Sequence, residues 1–577
     1  MRIAAVIAFA SVALLAPAAY AAATPAASDV QTFSNYLSAR QAASELDLKE
    51  ASKYYALSLA NDPDNKDILA KAFIYAASSG DIENGAKLAK RVVATQPDNR
   101  LAQLVIVVDT IERGRFADAR AMVDPTANEA MAKLDFQLMN IWASMGAGDS
   151  EGALAVLKKM KGIGGADAIA DYHLALVYDQ LGRVDEADAA YRQALIDVGP
   201  APRIVDAYGR FLERAGRSAE ATMFYTKLQS EDALRPIIDL ALARIAAKKK
   251  PDPLIPNAQA GAAEAMFGIG ASLTDNATAD LAVLYLHCAL YLRPDLDLAK
   301  VLLADRLENL RKYDEALAVY STIGKSSIYY RVAAVQAAVD MARIKRGDDA
   351  VATLKALVAD QPSDLEVWTA LGDVYRSLER YGDATQAYTQ AINTIPNPGP
   401  KNWQLYYARA IAEQQSDDWA AAEADLQTAL KLSPDEPDVL NNLGYSWVEK
   451  KQNIPKALVM LEKARTLRPF DGYIVDSVGW AYYSLGKYDE AAKTLLNAVL
   501  LVPGDPTINE HLGDAYWRVG KKLDAQFQWS HALAFTTDDK TKPSLEGKLK
   551  DGLPPAPPPV LVPGETPVHP VTSASTH

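Results

Sequence analysis

Cysteine occurs once in 577 residues, at Cys288, and histidine only six times. One thiol cannot close an internal disulfide, so a chain of this length has to be held together by a packed core. Cys288 lies in the apolar run LAVLYLHCALYL with nothing electropositive beside it, which fits a small core residue and not a reactive thiol. The histidines, at 173, 287, 511, 531, 569 and 577, include no pair four residues apart. That gives a metal site no footing, and no cofactor is expected.

Motifs that carry chemistry are also scarce. There is no G-x-x-x-x-G-K nucleotide loop, no H-E-x-x-H and no paired C-x-x-C. A basic surplus is missing too: 73 acidic against 60 basic side chains, with a pI near 5.1, leave no electrostatic footprint for nucleic acid or an anionic membrane. Long apolar runs are confined to the start, where Arg2 precedes IAAVIAFASVALLA and the small-residue site Ala19-Tyr20-Ala21. A membrane span needs about 18 or more apolar residues with different flanks, so residues 1–21 read as a secretory signal peptide and 22–31 as a spacer. No cysteine follows to carry a lipid. The expectation is a chain without a transmembrane anchor, secreted through its signal, and periplasmic in a bacterium with two membranes.

What the sequence does have is repetition. A small residue recurs every 34 positions at Ala51, Gly85, Ala119, Ala153, Ala187 and Ala221, and again at Ala282, Ala316, Ala350 and Ala384. A slightly stretched series runs Ala422, Ala457, Ala491, Ala525. Apolar residues at i, i+3, i+4 and i+7 around this beat predict two amphipathic helices per unit. Small residues such as Gly479 and Ala491 let the two helices approach, and Tyr482 and Leu495 fill the space beside them. In PGDPTINEHLG, Asp505 is placed to cap the next helix with Pro506 at its first position. No unit can bury its apolar face alone, so neighbours must stack into an all-α, right-handed α-solenoid.

The residues around the beat also carry a family resemblance. In VWTALGDVYRSLERYGDATQAYTQAINTIP, the residues Trp368, Leu371, Gly372, Tyr375, Ala384, Tyr388, Ala391 and Pro396 fall on the W-x2-L-G-x2-Y, A-x3-F and P pattern. This resembles the tetratricopeptide repeat, as do LGYSW, VGWAY and LGDAYW with the alanines that follow them. About fourteen units are expected over residues 32–535. The beat breaks between Ala221 and Ala282, around RPIIDLALARIAAKKK and PDPLIP. That break divides an N-terminal superhelix at 32–235 from a C-terminal one at 263–535, through an extra helix and proline-rich connector at 236–262. Lys248 to Lys250 then complement a helix C-terminus. A capping helix is expected at 536–553 and a disordered, proline-rich tail of polyproline II character at 554–577.

The resemblance implies that one side of each first helix lines a concave groove. If Gly479 and Tyr482 face the partner helix, then Asp476, Trp480 and Tyr483 face elsewhere. The same phase gives Asn441, Asn442 and Tyr445 one unit earlier, and Glu510, His511, Asp514 and Trp517 one unit later. These should form one acidic and aromatic patch that lacks lysine, suited to an extended peptide or partner protein. The competing readings are a structural role, a carboxylate-based hydrolase using Asp476, Glu510, His511 and Asp514, and a glycan stacked on Trp480 and Trp517. In the N-terminal half the same phase predicts an apolar strip at Leu101, Leu104, Val105 and Val108 and a basic one at Arg203 and Arg210, a second groove for a second partner. The resemblance implies a non-enzymatic scaffold; by analogy, exported proteins of this type serve cell-envelope assembly.

Overall fold

The computed structural model describes residues 27–123, 133–161 and 167–556; the expected signal segment and the tail from residue 557 lie outside these residues. Among the described residues there are thirty α-helices, a few short 3-10 turns and no strand. In chain order they make fourteen helix–turn–helix units, from Ala27–Ser44 with Leu48–Asn61 to Pro506–Arg518 with Lys522–Phe535. Arg235–Ala246 is an additional helix after the sixth unit, and Lys542–Asp551 follows the last.

The turn inside thirteen of the fourteen units repeats the sequence period, the exception being the turn after Ala258–Ser272. Positive φ recurs at Leu46, Gly80, Gly114, Gly148, Gly182 and Gly216, then at Arg311, Lys345 and Glu379, at Asp417 and Lys451, and at Gly486 and Gly520. A left-handed residue closes the end of the first helix and reverses the chain into the second. The close approach between the paired helices is equally regular. A Cβ on Gly372 would stand 2.5 Å from the Tyr388 ring, one on Gly479 2.6 Å from Leu495, and one on Gly513 2.5 Å from Trp529. Each of these three glycines therefore receives a large side chain of its own second helix, as expected at Gly479, where Ala491 and Leu495 are fully buried. Asp505 Oδ1 accepts from the Ile508 amide at 3.0 Å with Pro506 at the helix start, again as expected.

The chain forms two compact units, Met1–Ala337 and Ala338–His577. In the first, the helices after the sequence break do not start a separate body. Ala258–Ser272 and Ala279–Leu292 pack back onto Leu134–Gly146, Arg100–Glu112 and Lys66–Ser78. Ala258–Ser272 carries a single charged residue, Glu264, and a helix apolar all round is a buried one. Gly261 lies against the Trp142 indole, where any Cβ would come within 2.1 Å. Polar contacts latch the insertion: Glu264 accepts from Arg203 and from Tyr172 Oη, Tyr285 Oη donates to Asp135, and Tyr291 Oη donates to Asp109.

This corrects the expectation of a free N-terminal groove. Leu104, Val105 and Val108 are fully buried core, and Leu101 packs against that core. Arg203 is ion-paired to Glu264 and Arg210 to Asp206. The strip read as a binding surface is the seat of the chain's own helices. Cys288 sits there as well, fully buried, and burial pushes its thiol up to about 12.

In the second unit the first helices of successive repeats lie side by side: Pro437–Glu449 packs on Gly472–Ser484, which packs on Pro506–Arg518. The final helix, Lys542–Asp551, packs on Lys522–Phe535 and buries Leu545 beside Trp529.

Candidate functional site

Three adjacent first helices bring the predicted site residues of the second unit together, but in three separate environments. The central one is an aromatic stack. Trp480 lies 4.0 Å from the His511 ring at an interplanar angle of 11°, and 4.7 Å from Tyr483 at 6°. Each partner in the stack is held from outside. His511 Nδ1 donates to Asp476, 3.0 Å from both carboxylate oxygens, and both residues are buried. Trp480 Nε1 donates to Glu449 Oε1 at 2.5 Å, and Tyr483 Oη accepts from Arg518 Nε at 3.1 Å. Burial by itself lowers the His511 pKa, but Asp476, reinforced by Asp514 and Glu510, outweighs it and holds the imidazole above its ordinary value. Trp480 and Tyr483 keep part of their surface exposed.

The second environment is closed. Lys548, on the final helix, reaches Glu510 Oε1 at 2.6 Å and both oxygens of Asp514 at 2.8 Å. Asp514 also accepts from Trp529 Nε1 at 2.9 Å. Burial raises the Asp514 pKa, and Lys548 and Trp529 oppose that rise. Trp517 is taken as well: Lys522 Nζ sits 3.5 Å from its ring, and Gly552 lies so close that a Cβ there would come within 1.8 Å of the indole. The patch expected to lack lysine therefore has one. Lys548 stands 34 residues after Asp514, in the same register one unit on, and the final helix brings it where a further first helix would lie.

The third environment is open. Gln414, Asp417, Trp419, Tyr445, Ser446, Glu449 and Lys450 line a cleft of about 350 Å³. Asn442 Oδ1 accepts from Gln414 Nε2 at 2.9 Å, while the buried Oδ1 of Asn441 has no hydrogen-bond donor. Burial drives the Tyr445 phenol well above its ordinary value, with the carboxylates of Glu449, Asp476 and Glu510 adding to it. Pattern reading missed Trp419, Glu449, Arg518 and Lys548. Trp419 begins a second helix, off the followed face, whereas Glu449 and Arg518 end first helices seven residues after Asn442 and His511, on that face but beyond the residues taken from it.

The carboxylates offered as an acid and a base are committed to these pairs, and among the described residues no group of three or more His, Cys, Asp or Glu could hold a metal ion. One hydrolase-type pattern does occur: Gly148-Asp149-Ser150-Glu151-Gly152 spells G-x-S-x-G. Its context is a turn between two helices, with Asp149 capping Ser150–Met160, and not the strand-to-helix elbow that exposes a nucleophile.

Comparison with known proteins agrees with the repeat reading. Family models described as tetratricopeptide repeat or TPR repeat match residues 172–195, 334–399, 407–471 and 479–520. A TPR repeat-containing protein of Pseudomonas aeruginosa is 28% identical over 170 residues, 29% of this chain and 28% of that one. The E3 ubiquitin-protein ligase CHIP of Arabidopsis thaliana is 31% identical over 115 residues, 19% of this chain and 39% of that one. The chain thus spans well under half the length of these relatives. Among solved structures, the Cut9–Hcn1 hetero-tetramer of APC/C aligns with 85% of this chain and 97% of its own at 17% identity and a TM-score of 0.36. The matched segments, about a third of the chain, are similar to tetratricopeptide repeats, and the described residues form an all-helical solenoid of helix–turn–helix units.

Proposed function

We propose that this chain is an exported, non-enzymatic scaffold whose second unit holds an extended segment of a partner protein in the service of cell-envelope assembly. Tetratricopeptide repeats serve as protein-interaction scaffolds, and the observation that carries the reading here is the Tyr483–Trp480–His511 stack beside the open cleft at Tyr445. Aromatic rings locked by Glu449, Arg518 and Asp476 have little rotamer freedom left to lose, so they offer contact area at low entropic cost. Asp417 and Glu449 line the cleft together with Lys450, a near balance of charge that favours apolar over strongly acidic side chains.

The alternatives have less support. A hydrolase would need an acid or base open to the groove, and Asp476, His511 and Asp514 are all buried in pairs. A glycan platform built on Trp480 and Trp517 would need both faces, and Lys522 and Gly552 occupy the second.

The test is a photoreactive residue in place of Tyr445, irradiated in the intact compartment. A partner chain should be captured, and Trp480→Ala in the same background should lower its yield at least tenfold, the loss of a central aromatic anchor being worth about 2 kcal/mol or more. Phe527→Ala, on an exposed face of a second helix, should not. Failure to capture any other chain, or capture indifferent to Trp480→Ala, overturns the reading. Export is tested separately: the chain recovered from the periplasm should begin at Ala22 by N-terminal sequencing.

A further inference from the structure

The last described residues run onto the same face. Leu549 and Leu553 pack with Trp517 and Trp529, and Gly552, at φ +73°, turns the chain off the end of the final helix against the Trp517 ring. Pro554 then offers its carbonyl to Arg518 Nη1 at 2.5 Å. The Nε of that same guanidinium donates to Tyr483 Oη. At Pro554 the chain is therefore one arginine away from the aromatic stack, on the side from which Trp480, Tyr445 and the cleft follow in order.

The sequence that leaves this point is PPAPPPVLVPGETP, from Pro554 to Pro567. Consecutive prolines impose the polyproline II conformation, and aromatic-lined grooves are the surfaces that accept it, since prolines carry no N–H to satisfy and present flat rings to stack. The stretch has one carboxylate, Glu565, so it brings almost no charge to a cleft whose own charges, Asp417, Glu449 and Lys450, come close to balance. Its length also fits. The helices bearing Arg518 and Tyr445 are two packing steps apart, about 20 Å at the usual interaxial distance, and polyproline II covers that in about six or seven residues.

We propose that the proline-rich segment after Pro554 folds back along the groove of the second unit, its prolines over Tyr483 and Trp480 and Val560 and Leu561 in the cleft at Trp419 and Tyr445. The inference rests on the groove being the binding surface, and it specifies the chemistry the groove takes: a proline-rich, nearly uncharged extended segment. The chain's own tail is then the resident occupant, which a partner must displace. Tethering gives it a millimolar effective concentration, so even a weak contact is largely occupied.

A photoreactive residue in place of Leu561 in the full-length chain tests this. Its intramolecular crosslinks, mapped by mass spectrometry, should fall on the peptides bearing Trp419, Tyr445 and Trp480. Trp480→Ala should lower their yield at least about fivefold, whereas Phe527→Ala should leave it unchanged. Tail variants cannot disturb the repeats, so the paired substitution Val560→Ser and Leu561→Ser gives a second readout: partner capture through residue 445 should rise about tenfold as the occupant weakens. Crosslinks scattered over the chain or absent from those peptides overturn the proposal, as does capture unchanged by the serine pair. If they fail while Trp480→Ala still abolishes partner capture, the groove remains a partner site and only the tail is excluded from it. If tail crosslinks map to the groove and no partner is ever captured there, the partner reading falls instead.

Discussion

Lys548 stands one repeat period beyond Asp514 and closes on both oxygens of its carboxylate at 2.8 Å, with Glu510 completing the pair of acceptors. The end of the array is thus sealed by charge as well as by the burial of Leu545 against Trp529. A cap that only covered apolar surface would have no need of an ammonium group between two carboxylates.

Lys548→Met should free the final helix. It removes the cation and leaves Glu510 and Asp514 facing each other in a largely buried site, a change that costs about 2–3 kcal/mol when the pair keeps some solvent contact. In a long repeat array the loss is local, so it should be read as faster amide exchange over 542–551 and not as a shift of the whole transition. Adding Asp514→Asn should return part of it, and a double variant no better than the single would show that the pair is not coupled.

The first and second units should answer pH in opposite directions. His173 is buried and neutral, pushed down to about 4 by burial, with its Nδ1 accepting from Trp142 Nε1 at 3.1 Å. An unfolded histidine near 6.5 takes up a proton that the folded one refuses, so the first unit loses stability as pH falls from about 6.5 toward 4, on the order of 3 kcal/mol for this group. His511 is the reverse: its pKa is raised by Asp476 against the effect of burial, so its contribution is complete below about 6.5 and is lost as pH rises through its folded value. Hydrogen exchange at pH 5 and pH 8 should show 167–180 protected better at the higher pH and 506–518 at the lower. The same sign in both segments would contradict this.

How much of this was legible in the residues depends on whether a feature lies inside the period. The hairpins, the small-residue contact at Gly479 and Ala491 and the cap at Asp505 are set by local pattern, and they occur where the spacing places them. The glycine turns from Gly80 to Gly216 keep the same beat, but Leu46, Arg311, Lys345 and Glu379 adopt the same left-handed conformation with no residue-type signal, because hairpin packing imposes it. Phase alone placed Asp476, Trp480, Tyr483 and His511 in one region. It could not show that Asp514 and Trp517 would be covered, since their partners come from Lys548 and Gly552, beyond the last recognisable unit. The largest misreading, a second groove in the N-terminal half, came from taking Leu104 and Val105 as a surface. The clue was the near absence of charge in AQAGAAEAMFGIGAS, a helix that needs protein around most of its circumference.

Gly261 and Gly268 on that helix give a paired test. A side chain at Gly261 must enter the Trp142 ring, whereas one at Gly268 meets nothing within 4 Å. Gly261→Leu should therefore dislodge Ala258–Ser272 from its seat, at a cost of about 3 kcal/mol or more, and expose the connector around Pro251 to Pro256 to limited proteolysis. Gly268→Ala should be neutral or slightly stabilising, since alanine is the better helix former by about 1 kcal/mol. Equal protease sensitivity in the two variants would mean that the helix is not seated on Trp142.

Trp480 and Trp529 separate binding from folding within the second unit. Trp529 is fully buried, fills the space over Gly513 and donates to Asp514, so Trp529→Ala should cost about 3–5 kcal/mol of stability. Trp480 is only partly buried, and its removal leaves the helix contact at Gly479 and Leu495 intact. Trp480→Ala should then shift thermal unfolding by only a few degrees while lowering partner capture at least tenfold. Differential scanning calorimetry and photocapture on the two variants check this together. If Trp480→Ala unfolds as readily as Trp529→Ala and captures as well as the parent, the stack at Trp480, Tyr483 and His511 is part of the packing, and the open cleft at Tyr445 must hold its ligand without it.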